Sequence, residues 1–137
     1  MPWVFNPNAG GRKIPENVQA QVRQRILAHA EKHYAGKYSS LAIRFHGQFC
    51  YIDSLQEPPE PSAELLKATG ETREQYLERL RQTPTHLVRL RYFGDDRWGV
   101  AFFRYSNEKY ELSCFPDGEY FGLPEAALDI GAVYLTD

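Results

Sequence analysis

Cysteine is scarce in this chain. Cys50 and Cys114 are the only two in 137 residues, too few and too far apart for the disulfide framework of a small secreted domain. Long apolar runs are missing too, so nothing approaches the roughly 20 residues that cross a bilayer. The opening MPWVFNPNAGGRKIPENV lacks the apolar stretch of a secretion signal. The expectation is a cytoplasmic protein with no membrane association. Charge of one sign is lacking as well. With 16 Lys and Arg against 18 Asp and Glu, the net charge of −2 excludes whole-molecule attraction to nucleic acid, although a local basic patch stays compatible with it. Gly10-Gly11-Arg12-Lys13 lacks the spacing of a phosphate-binding loop, and no strand precedes it. No motif requires a cofactor, and none has a spacing that specifies one chemistry.

Aromatic residues, by contrast, make up 14% of the chain and crowd its second half. They favour well-filled sheets and adhesive surfaces over a plain helical bundle. The length suits one domain over residues 1–137, opening with an irregular arm (1–13) whose Trp3 and Phe5 tack onto the body.

Local signals set the element order. Pro15-Glu16 opens a first helix that runs to about Tyr34 and stops at Gly36, with Val18, Val22, Ile26, His29 and His33 on one stripe. SSLAIRFHGQFCYIDS (39–54) reads as a hairpin turning at His46-Gly47, with Phe45 opposite Gln48, Ile43 opposite Cys50 and Leu41 opposite Ile52. The prolines of LQEPPEP deny both helix and ladder. Ser62 caps a short helix ending at Gly70, and Thr72-x-x-Gln75 is a capping box for another that runs to about Gln82. Strands follow over 85–93, 97–105 and 109–115, then a Pro-Asp-Gly turn, a short strand and a last helix from Pro124. This order, α-ββ-αα-βββ-α, predicts an α+β fold with a mostly antiparallel sheet of about five strands.

The stretch LVRLRYFGDDRWGVAFFRY raises the functional question. A four-residue loop Gly94–Arg97 puts Phe93 opposite Trp98; Leu90 then meets Ala101 and Val88 meets Phe103, and these last two pairs face the core. Pairing Tyr105 with Tyr110 extends that register to the next strand. The other face then carries Arg89, Arg91, Phe93, Trp98, Phe102 and Arg104, with Arg104 directly across from Glu111. A face left to water would alternate to Thr, Lys, Glu and Ser. Trp, Phe and Arg are instead enriched where proteins bind partners.

Other groupings of residues could carry chemistry. His29 and His33 stand one helical turn apart, and with His86 they form a candidate metal site for a hydrolase or nuclease, with Asp53 as a further candidate residue. His86 is expected on the core side of its strand, where it would meet Cys50 and Cys114, both read as buried structural thiols. Asp53 and Glu57 form an acidic pair at a strand end. The leading expectation is non-enzymatic: a small interaction or regulatory module using the Arg/aromatic sheet face toward a protein partner or a second copy of itself. The metal-dependent enzyme comes second and a single-stranded nucleic-acid binder third.

Overall fold

A computed structural model describes residues 9–135. Trp3 and Phe5 lie outside the described residues. Among them run helix α1 (Glu16–Tyr34), strands β1 (Ser40–His46) and β2 (Phe49–Leu55), helices α2 (Ala63–Thr69) and α3 (Arg73–Gln82), strands β3 (Thr85–Tyr92), β4 (Trp98–Arg104) and β5 (Lys109–Ser113), and helix α4 (Pro124–Gly131). A 3-10 turn follows at Ala132–Leu135. The strands form one antiparallel sheet in the order β1-β2-β3-β4-β5. This is the α+β order read from the sequence. The short strand expected before α4 is reduced to a single bridge between Trp98 and Gly122. No helix is long and apolar enough to cross a membrane, among the described residues.

The caps explain the short helices. Ser62 Oγ accepts from the Leu65 amide at 3.1 Å, and Gly70 closes α2 at φ +71°, where a side chain would be strained. Thr72 and Gln75 exchange side-chain-to-backbone bonds of 3.1 and 3.0 Å, completing the capping box of α3.

One face of the sheet, the inner face, carries Ile43, Cys50, Ile52, Val88, Leu90, Trp98 and Val100 into the core. Val22, Ile26 and Ala30 of α1 and Ala127 and Leu128 of α4 close over it. Helix α4 can lie close because Gly131 has no side chain. A Cβ there would sit 2.9 Å from Val88 Cγ1 and 3.0 Å from Leu87 Cβ. Arg25 ties the helices and the sheet together, donating to Glu125 Oε1 and to Asp96 Oδ1 at 2.8 Å each. Further along α1, His29 Nε2 and the Tyr34 hydroxyl meet Asp129 Oδ1 at 2.8 and 2.5 Å.

The register of β3 against β4 corrects the expectation. Tyr92, not Phe93, opposes Trp98; Leu90 opposes Val100, and Val88 opposes Phe102. The loop is therefore Phe93–Arg97, one residue longer than the sequence suggests. Phe93 N donates to Arg97 O at 2.9 Å, and Gly94, Asp95 and Asp96 all take positive φ, at 89°, 52° and 57°. A slip of one residue turns a whole strand over. Trp98 and Phe102 consequently face inward, Trp98 with 0% of its surface exposed and Phe102 packed against the core. Arg104 also lies on the inner side, beyond the helices. Its 2.9 Å ion pair with Glu111 is present but diagonal, because Arg104 opposes Lys109 and Glu111 opposes Phe102. Cys114, past the end of β5, is exposed rather than buried.

Candidate functional site

The outer face of the sheet gathers aromatic rings and guanidiniums from all five strands. Strand alternation sends Arg44 from β1, Phe49 and Tyr51 from β2, Arg89 and Arg91 from β3, and Ala101 and Phe103 from β4 to this side. Tyr110 of β5 opposes Phe103 and joins them. Of the six residues expected to form an interaction surface, Arg89, Arg91 and Phe93 are on this side, Phe93 with its ring against Gly99. Trp98, Phe102 and Arg104 are not. Phe49, Tyr51, Phe103, Tyr110 and Arg44 take their place. The alternation of β2 already signalled two of these, since burying Cys50 and Ile52 turns Phe49 and Tyr51 outward.

The arginines lie over the rings. Arg44 Cζ is 4.3 Å from the Tyr51 ring centre, and Arg89 Cζ is 4.5 Å from that of Phe49 and 5.3 Å from that of Tyr110. Arg91 Cζ covers Phe49 at 4.7 Å, and its Nη1 donates to Gly10 O at 2.8 Å. Burial and the neighbouring Arg89 charge lower the pKa of Arg91. Tyr110 reaches across the sheet to meet Tyr51 and Phe103 edge-on at 5.8 and 5.1 Å. Its hydroxyl is buried with no hydrogen-bond partner among the described residues, and burial, reinforced by the charge of Asp53, pushes its pKa up to about 12. Each guanidinium on a ring contributes about 0.5–2 kcal/mol, with its charge left facing solvent.

At one end of this face stands an acid–imidazole pair. Asp53 Oδ1 and His86 Nδ1 are 2.8 Å apart, Asp53 being only 5% exposed. A β-bulge brings them together. Ile52 opposes Val88, yet Asp53 opposes His86, which removes Leu87 from the ladder. In an unbroken ladder Asp53 would face Leu87, and His86 would point into the core, as the sequence led us to expect. The bulge turns His86 outward against Phe103, at 4.7 Å between ring centres, and sends both Leu87 and Val88 under α4. The carboxylate fixes Nδ1 and leaves Nε2 to act as donor or acceptor. No serine, threonine or cysteine side chain bonds His86 among the described residues.

The other expected groupings are dispersed. His29 and His33 stand on α1 with their rings tilted and their centres 4.5 Å apart, while His86 is on the far side of the sheet. No group of three or more His, Cys, Asp or Glu could hold a metal ion among the described residues. Glu57 pairs with Arg81 at 2.7 Å, away from Asp53. Cys50 is fully buried, and desolvation pushes its thiol up to about 12, which suits the structural role expected of it.

Searched against family models, curated proteins and solved structures, the chain matches none.

Proposed function

We propose that this chain is a protein-interaction module acting in the cytoplasm and that the outer sheet face is its contact surface. A single observation carries the reading. Phe49, Tyr51, Phe103 and Tyr110, with Arg44, Arg89 and Arg91 over them, occupy the face opposite the one that α1 and α4 close. Half-buried aromatics and arginines are the side chains that supply most of the energy at protein interfaces, and here they are held in place before any partner arrives. The unpaired thiols Cys50 and Cys114 suit a reducing compartment.

The test compares the native chain with Arg89→Glu, after a thermal melt has established that the variant folds. Proteins retained by the immobilised native chain should be lost on Arg89→Glu. Light scattering reveals whether the retained species is a second copy, in which case a dimer becomes a monomer in the variant. If the same proteins bind both chains and the oligomeric state is unchanged, the outer face is not the contact surface.

A further inference from the structure

Resting on that reading of the outer face, we infer that its partner is an acidic protein segment whose carboxylates seat on the guanidiniums of Arg44 and Arg89. Charge complementarity carries the choice. Arg25, Arg73, Arg79, Arg81 and Arg104 each have a carboxylate within ion-pair distance. Arg44 and Arg89 have none among the described residues; Arg44 lies over the Tyr51 ring and Arg89 over those of Phe49 and Tyr110. The one acid on the outer positions of the strands, Asp53, is buried and turned to His86. It therefore leaves both guanidiniums uncompensated in a chain whose net charge is −2.

The way the rings are used separates a protein from a nucleic acid. A single-stranded nucleic acid binds a sheet by stacking its bases on open aromatic faces. Here Arg44 covers a face of Tyr51, and Arg89 and Arg91 both lie over Phe49, so guanidiniums rather than rings form the outermost layer. A guanidinium already held over a ring loses little side-chain entropy on binding, and its planar N–H fork matches a carboxylate bidentately.

The probes are a fluorescently labelled oligoglutamate peptide and a labelled oligouridylate, titrated with the full chain at low salt and read by anisotropy. Oligoglutamate should bind, and binding should weaken at least about tenfold in Arg44→Gln/Arg89→Gln. Lys32→Gln/Lys67→Gln, which removes the same charge from exposed sites on α1 and α2, should leave it within about twofold. If the arginine double variant does not fold, Arg44→Lys/Arg89→Lys keeps the charge, loses the fork and should still weaken binding measurably. Tighter binding of oligouridylate, no binding of oligoglutamate, or equal losses in the arginine and lysine variants would each overturn the acidic-partner inference. These outcomes are distinct from failure of the broader reading, which is lost only when capture by the chain does not depend on Arg89.

Discussion

The indole N–H of Trp98 donates to Asp96 Oδ1 at 3.0 Å, and the same oxygen accepts from Arg25 Nη1 on α1 at 2.8 Å. One carboxylate thus satisfies the buried tryptophan, anchors the β3–β4 loop and ties that loop to the first helix. The bonds to Arg25 and Trp98 lower the pKa of Asp96 against the opposing effect of its burial. They also account for a backbone that tolerates two adjacent non-glycine residues at positive φ.

Asp96→Ala should therefore destabilise the chain by about 1–3 kcal/mol, through the unsatisfied indole and the loss of the Arg25 bridge. Denaturant unfolding followed by tryptophan fluorescence measures this. Asp95→Ala, next along the same exposed loop, removes no such bond and should cost less. Equal losses in the two variants would mean that the carboxylate of Asp96 does not hold the turn.

A methyl group at Gly131 meets Val88 and Leu87 at contact distances that real Cβ atoms rarely show. Gly131→Ala should push α4 off the sheet and cost about 1–3 kcal/mol, even though alanine is the better helix former. A thermal melt beside that of Leu123→Ala, at an exposed position just before α4, checks the size and the sign. A more stable Gly131→Ala would mean that the helix packs less closely than described.

Alkali should weaken the fold before the ordinary tyrosine range has passed. Burial, helped by the Asp129 hydrogen bond and charge, raises Tyr34 to about 12, and burial first, then the Asp53 charge, raises Tyr110 to about 12, against an ordinary value of 10. Both groups hold their protons more tightly when folded. Their contribution is complete below pH 10 and drains away between about 10 and 12, where only the unfolded chain ionises. Tyrosinate absorbance in Tyr34→Phe and Tyr110→Phe should lose its late-titrating component in steps. A native chain whose tyrosines all ionise together near 10 would contradict this.

How much of this was legible follows from where each signal resides. The helix caps were readable because Ser62, Gly70, Thr72 and Gln75 act within a few residues of themselves. The first hairpin was read with Phe45 opposite Gln48, whereas Phe45 opposes Cys50. That error spans two positions, so Ile43, Cys50 and Ile52 stayed on the correct face. The same kind of misreading at Phe93–Arg97 spans one position, and it turned Trp98, Val100 and Phe102 over together. Loop length depends there on Asp96 reaching Arg25 across the fold, a contact that no local pattern announces. The bulge at Leu87 left a faint trace, two consecutive apolar residues in an otherwise alternating strand, and with it the pairing of Asp53 with His86 was hidden.

The join between β2 and β3 has a consequence for how the chain can change. These strands are direct neighbours, yet residues 56–84, with α2 and α3, separate them along the chain. That excursion is bound to itself by Glu57–Arg81, Glu60–Arg73 and Glu71–Arg79, and its Leu77 is not part of the main core cluster. Doubling a connection of this kind costs only about 0.6 kcal/mol in closure entropy. The sheet is therefore nearly indifferent to what joins Leu55 to Thr85. A sequence could be exchanged there wholesale, as a cassette, while the strands on either side keep their register.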